Sequence, residues 1–267
     1  MELSDTQFER YARHLILDEV SDEGQERLLG SKVLCIGAGG LGSPILMYLA
    51  AAGVGTIGII DDDTVELSNL QRQIVHATAS VGAPKVISAA ETLERVNPTI
   101  NLNTYQQRLC VDNVEGLFAE YDLIVDGSDN FSTRYLINDA AYLNGKTVVS
   151  GALLRFEGQL TTFRGGLPKY RGEPCYRCLF RAPPPENTVA RCDEAGILGV
   201  IAGVIGTLQA TEVLKEIIGI GKTLSGNLLI FDALDMTFRK IQYKQSATCP
   251  LCGQKPDIKK ITTPHFG

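Results

Sequence analysis

The sequence predicts an α/β fold: a mostly parallel sheet continued by antiparallel strands, with a small four-cysteine metal knot. Three observations carry this. From residue 31 to about 150, short apolar runs alternate with helix-length segments, as repeated βαβ units do. Residues 157–165, EGQLTTFRG, then alternate apolar and polar side chains in the manner of an antiparallel strand. Two Cys-x-x-Cys pairs, Cys175/Cys178 and Cys249/Cys252, stand far apart in the chain.

The elements follow in order. SDTQFERYARHLI places Phe8, Tyr11 and Leu15 at helical spacing behind a Ser/Asp start, and leaves Arg10 and Arg13 on the other side. N-terminal helices are assigned to residues 1–30. VLCI at 33–36 is a strand, an Ala/Leu-rich helix runs to Ala52, and TIGII at 56–60 closes the first βαβ unit. Pro84 opens a helix to about Val96. A strand near 101–106, a helix around 113–118 and the strand DLIVD at 122–126 come next. A helix over roughly 131–144 and TVVS at 147–150 end the parallel part, so that 31–164 forms the nucleotide-binding portion. Residues 165–199, with Pro183, Pro184 and Pro185, show little periodicity and read as a functional crossover loop. Within 200–267, an apolar helix to 218 and the strands NLLIFDA and TFRKIQY complete the sheet and precede a polar tail. All four parts are read as one domain.

Composition bounds the function. The chain has 267 residues, 44% of them apolar, enough for one large core. Its net charge of -6 argues against broad attraction to nucleic acid. No apolar stretch approaches the roughly 18 residues of a membrane span, and the N-terminus lacks the apolar core of a signal peptide, so the cytoplasm is the expected location. In such a compartment the paired cysteines point to metal rather than disulfides.

Gly37-Ala38-Gly39-Gly40-Leu41-Gly42 lies between a strand and a helix, where backbone N–H groups can meet a phosphate closely. Asp61 ends the next strand and would accept hydrogen bonds from ribose hydroxyls. This Rossmann-like pattern suits NAD and ATP equally. Asp126 and Asp129 flank the end of the DLIVD strand, the edge where open α/β sheets bind ligands. Asp129 is the expected metal ligand, and capping the helix near Phe131 is the alternative role.

The run DDDTVELSNLQRQ at 61–73, GAPK at 82–85 and DGSDN at 126–130 resemble the MoeB and ThiF adenylyltransferases and the adenylation domain of ubiquitin-activating enzymes. The resemblance extends from Arg13 to Cys252. It implies that the glycine loop, Asp61, Ser68, Asn69, Leu70, Gln71, Arg72, Lys85, Asp129 and Asn130 hold ATP, with Arg72 and Lys85 on the phosphates. It further implies Mg²⁺ on Asp129, and Arg13 reaching into a partner's site in a homodimer. The expected partner is a ubiquitin-like sulfur-carrier protein ending in Gly-Gly, whose carboxylate is adenylated. Its flexible tail would enter beneath the crossover loop while its body docks on the exposed sheet face. The chemistry asks for such cations, because a carboxylate attacking a phosphate brings two anions together. Molybdopterin, thiamine and tRNA-thiolation pathways all use such carriers. The chain ends soon after Cys252, so a separate sulfur donor, a cysteine desulfurase or rhodanese, is expected.

Cys175, Cys178, Cys249 and Cys252 have the spacing of a closed, structural zinc site. Cys192, in RCDEAG, matches the family's cysteine able to bond the carrier covalently; Arg191 favours its thiolate while Asp193 and Glu194 oppose it. Cys35 and Cys110 are expected to pack as small apolar groups. His14, His76 and His265 form no ligand-spaced set. A nicotinamide-dependent oxidoreductase would explain the glycines and Asp61 but leaves Arg72, Lys85 and Asp129 without purpose. A nucleotide-sensing binding module would use them all and perform no chemistry. Adenylation of a modified tRNA base fits the acidic chain poorly.

Overall fold

The computed structural model describes residues 3–182 and 196–262. Two N-terminal helices, α1 (Asp5–Leu15) and α2 (Ser21–Gly30), precede the sheet. Ser4 starts α1 by a reciprocal capping box, its hydroxyl accepting from Gln7 N–H while the Gln7 side chain accepts from Ser4 N–H. Tyr11 is buried as expected, whereas Phe8 is exposed. The apolar stripe of α1 is therefore only half used within the chain.

The sheet has eight strands in the order β3-β2-β1-β4-β5-β6-β7-β8. The parallel part consists of β1 (Lys32–Ile36), β2 (Thr56–Ile60), β3 (Asn101–Tyr105), β4 (Leu123–Asp126) and β5 (Thr147–Leu154). Three antiparallel strands follow, β6 (Glu157–Phe163), β7 (Asn227–Asp232) and β8 (Thr237–Gln242). The strand predicted at TVVS runs four residues further because it also pairs along β6, Gly151 opposite Leu160.

Side chains alternate across the sheet, so each buried strand feeds two cores. Val33 and Cys35 of β1 join a core with α3 (Gly42–Ala52), α4 (Lys85–Val96) and the long helix Gly199–Ile218. Leu34 and Ile36 join a second core with α5 (Val111–Glu120) and α6 (Phe131–Leu143). The observed α5 is longer at both ends than the predicted 113–118. It begins in a turn where Asn113 Oδ1 accepts from Cys110 N–H at 2.8 Å, and that placement leaves Cys110 exposed rather than packed. A one-turn helix, α7 (Tyr176–Leu179), carries the first cysteine pair; the long helix is α8. Gly219, at φ 82°, ends α8 in the left-handed region that glycine adopts freely. Among the described residues, no helix is long and apolar enough to cross a membrane.

Candidate active site

The chain after β1 crosses to one face of the sheet through α3, and the chain after β4 crosses to the other through α6. β1 and β4 are neighbours, so a crevice opens beyond their carboxyl ends, at the switch point of the topology. A cleft of about 300 Å³ occupies it.

One wall is the glycine loop. Gly37 has φ 95°, and a Cβ on Gly42 would stand 2.0 Å from the Gly37 carbonyl oxygen, so this turn closes only with glycine at both positions. Gly37, Gly39 and Gly40 face the cleft, whereas Gly42 is buried in the turn. Asp61 lines the adjoining wall and ties the loop to β2: Oδ2 accepts from Ala38 N–H at 2.8 Å and Oδ1 from Asp63 N–H at 2.9 Å. Burial pushes the Asp61 carboxyl up, against the opposing charge of Lys85 and the two N–H donors. From below, buried His76 braces the loop, with Nε2 2.9 Å from the Ala38 carbonyl and Nδ1 2.9 Å from Ser88 Oγ. Burial lowers its pKa and keeps the ring neutral.

The cations come from the opposite side. Lys85, first residue of α4, is buried and its ammonium pairs with the exposed Asp63 at 2.8 Å. Arg72 lines the cleft and donates from Nη1 to the Ser68 carbonyl at 3.2 Å. Ser68, Asn69, Leu70 and Gln71 form the turn that presents Arg72 and do not themselves line the cleft. Asn69 is buried, with Oδ1 accepting from Glu66 N–H at 3.1 Å.

Asp129 and Asn130 close the third side. The helix N-cap is Asn130, whose Oδ1 accepts from Thr133 N–H at 2.9 Å. Asp129 is relieved of that role and keeps an exposed carboxylate at the cleft, the disposition a cation ligand needs. Asp126, by contrast, is buried and saturated: Ser128 N–H and Oγ donate to one oxygen and Ser150 Oγ to the other. It fixes the turn below Asp129.

Sequence reasoning missed several groups in the wall, among them Gln73, Arg108 and Arg134. Arg134 was legible in principle, standing four residues after Asn130 on one helix face. Leu153 and Ile197 also contribute and could be placed only by tertiary structure. Arg13 lies elsewhere. Its helix packs at the ends of α3 and α4 that face the starts of the strands, where Tyr11 Oη accepts from Asn97 Nδ2 at 2.9 Å and Arg10 donates to the Val96 carbonyl. That is the sheet edge opposite the cleft. Cys192 lies outside the described residues.

The two Cys-x-x-Cys pairs meet beside α6. Their four sulfur atoms all lie within 4.8 Å of one another and form no disulfide, with Cys175 Sγ 3.6 Å from Cys249 Sγ and Cys178 Sγ 3.3 Å from Cys252 Sγ. Four convergent thiols are the donor set of a tetrahedral structural zinc site. Arg177 forks onto Asp139 of α6 through two hydrogen bonds of 2.7 Å, and Tyr176 N–H donates to Asn138 Oδ1 at 2.8 Å, which fixes the first pair to the helix that begins at the cleft. Cys35 is buried in β1, and burial pushes its thiol up.

Comparison with known proteins extends these observations. The chain is 48% identical over 257 residues to the sulfur carrier protein adenylyltransferase of Thermus thermophilus, covering 96% of this chain and 94% of that protein. It is 48% identical over 254 residues to the SAMP-activating enzyme E1 of Haloferax volcanii, covering 95% and 92%. The adenylyltransferase and sulfurtransferase MOCS3 of Sus scrofa is 47% identical over 260 residues, 97% of this chain and 56% of that protein. Among solved structures, E. coli MccB superposes with a TM-score of 0.80 at 20% identity, over 95% of this chain and 75% of that one, a likeness of fold. The model of the ThiF family matches residues 11–251, from the helix of Arg13 through the glycine loop and the cleft to the second cysteine pair; the chain belongs to the ThiF family.

Proposed function

We propose that the chain is an ATP-dependent adenylyltransferase that activates the C-terminal carboxylate of a ubiquitin-like sulfur-carrier protein. The observation that carries the reading is the cleft itself. A glycine loop, a carboxylate at Asp61 placed for a ribose, the cations Arg72 and Lys85, and the exposed Asp129 converge on one crevice. A dehydrogenase needs the first two features and has no use for the rest. The near full-length likeness to a sulfur carrier protein adenylyltransferase supports the same choice.

In the proposed reaction, the glycine loop and Asp61 orient the nucleotide. Arg72 and Lys85 neutralise charge as the carrier carboxylate attacks the α-phosphate and pyrophosphate departs. The carbon–oxygen–phosphorus anhydride that forms turns an unreactive carboxylate into an electrophile, open to a sulfur nucleophile from a donor protein. Mg²⁺ fits Asp129 and would supply further charge neutralisation on the phosphates. Zinc fits the four cysteines as a structural ion with no open position. Cys192 is assigned the later, covalent step with the carrier on the resemblance of its segment.

Arg13 supports a homodimer. It is exposed at the edge away from its own cleft, on a helix whose Phe8 is also exposed, and it would complete the site of a second copy.

The test is ATP–pyrophosphate exchange with Mg²⁺ and a panel of carriers ending in Gly-Gly. The expected result is exchange that requires a carrier, disappears in Asp129→Ala and survives Cys192→Ala. ATP binding without exchange for any carrier would favour a binding module.

A further inference from the structure

Gln209 lies in the middle of α8 and is fully buried. Its Nε2 donates to the Asp126 carbonyl at 2.8 Å and to the Val149 carbonyl at 3.4 Å. These carbonyls stand at the ends of two neighbouring parallel strands, where Val125 lies beside Val149 and Asp126 beside Ser150. Gly151 makes room for the amide, since a Cβ there would collide with Gln209 Oε1. That oxygen has no hydrogen-bond partner among the described residues. A buried acceptor left unpaired costs free energy, so the donor end of the amide is what this position requires.

The donor holds the turn that carries Asp129. Within that turn the Asp126 carboxylate accepts from Ser128 and Ser150, Arg134 Nη2 donates to the Ser128 carbonyl at 2.9 Å, and Asn130 caps α6. Arg134 and Asn130 belong to the helix that follows the turn, whereas Gln209 reaches it from α8. The same helix touches two other walls of the cleft. A Cβ on Gly40 of the glycine loop would lie 3.3 Å from the Ala202 Cβ, and a Cβ on Gly199 would collide with the Gln71 carbonyl beside Arg72.

We infer that Gln209 is a positioning residue of this site: its amide N–H sets the Asp126–Asn130 turn against α8 and so registers Asp129 with the glycine loop and Arg72. The inference rests on the adenylyltransferase reading, and it places Gln209 on neither nucleotide nor metal. A carboxylate that must meet a cation on the phosphates tolerates little displacement, and the groups behind it fix its place. Methionine at 209 would fill similar space, leave the Asp126 carbonyl without this donor and free the turn to shift.

The experiment compares wild type, Gln209→Met, Gln209→Glu and Asp129→Asn. Equilibrium binding of ATP is measured in EDTA and with Mn²⁺ as the probe metal, together with thermal denaturation and carrier-dependent pyrophosphate exchange. In wild type Mn²⁺ tightens ATP binding, and Asp129→Asn defines the binding left when that contact is gone. The expected result for Gln209→Met is unchanged ATP affinity in EDTA and a gain from Mn²⁺ about 10-fold smaller, the scale on which groups behind a metal ligand act. A carboxyl at 209 is buried, so it holds its proton near neutral pH and donates to the Asp126 carbonyl. Relative to wild type at the same pH, Gln209→Glu should therefore match it at about pH 6 and fall toward Gln209→Met at about pH 9.

Equal weakening of ATP with and without Mn²⁺ in Gln209→Met, or a Mn²⁺ gain left intact whatever the melting temperature, would assign Gln209 to packing alone and overturn the inference. Should Gln209→Met fail to fold, Gln209→Glu decides: a Mn²⁺ gain that is the same fraction of wild type at both pH values overturns it. Wild type in which Mn²⁺ brings no gain overturns it as well. Wild type without exchange for any carrier overturns the adenylyltransferase reading, while the Mn²⁺ comparison still decides Gln209.

Discussion

Lys85 Nζ and Asp63 Oδ2 meet at 2.8 Å across the rim of the cleft, and the two side chains are unequal: the lysine is 7% exposed and the aspartate 67%. A buried ammonium needs an anion, and here the anion is one that water can replace. The pair reads as a placeholder for phosphate. Lys85→Met should therefore lower pyrophosphate exchange by about 100-fold or more, the scale on which a preorganised charge contact is lost. Asp63→Asn removes the carboxylate hydrogen-bonded to the ammonium and leaves only the Asp61 charge nearby, so the melting temperature of the empty protein should fall by about 2–4 °C. Saturating ATP should narrow that deficit, because phosphate takes over as partner. A deficit that ATP leaves unchanged would show that Lys85 serves the fold alone.

Asp129 and Asn130 are adjacent and separable. Asn130 caps α6, so Asn130→Ala should cost about 1 kcal/mol of stability, seen in chemical denaturation. Asp129→Asn leaves that cap intact, so its stability should match wild type while exchange collapses. Mg²⁺ titration of the residual activity would give the reason: the metal requirement should move to much higher concentration. Loss of stability in Asp129→Asn comparable to that of Asn130→Ala would return Asp129 to a structural role.

These two relationships also show what the linear chain reveals. The parallel strands were legible because VLCI, TIGII and LIVD are buried on both faces and read as continuous apolar runs. The glycine loop was legible because its backbone geometry demands glycine at Gly37 and Gly42. Which of two neighbouring polar residues caps α6 and which faces the cleft depends on where the chain turns after β4. Sequence left both roles open for Asp129. Gln73 and Arg134 escaped notice because glutamine and arginine are ordinarily solvated, and their burial here is a tertiary fact. Phe8 and Cys110 went the other way, since periodicity predicts an apolar face but not whether this chain covers it.

His76 predicts a pH dependence. Its folded pKa is depressed by burial below 6.5, so on acidification the unfolded chain takes up a proton that the folded chain refuses. Stability is then fully present above pH 6.5 and falls as pH drops below it, toward the folded pKa. His76→Gln keeps polar atoms near the Ala38 carbonyl and Ser88 and cannot titrate. Urea denaturation at a series of pH values should show a shallower acid-side loss in His76→Gln than in wild type. Parallel curves would assign the acid sensitivity to carboxylates.

The cysteine cluster predicts about one zinc ion per chain by elemental analysis. Chelation or Cys249→Ser should release it and lower the melting temperature. The local consequence is more informative. Arg177 and Tyr176 fasten the first pair to Asp139 and Asn138 of α6, so loss of metal should loosen that end of the helix first. Hydrogen exchange should rise around 175–179 and 136–143 before it rises in β1 or β4. Uniform exposure would mean that the knot holds the whole fold rather than one corner.

Arg13 predicts that two defective chains can repair one another. Its helix is pinned to the Asn97 and Val96 end of the structure, across the sheet from its own glycine loop. If it serves a second copy's cleft, Arg13→Ala and Asp129→Ala chains should each be inactive alone. In a mixed dimer, the chain with Asp129→Ala lends its Arg13 to the intact cleft of the other, and one complete site is restored. Random exchange of subunits should therefore recover about a quarter of the wild-type sites, a figure set by two-fold symmetry. Recovery near that level, with an elution volume matching a dimer, is the expected outcome. Exchange that stays absent after subunit mixing has been verified by mass would place the work of Arg13 within its own chain.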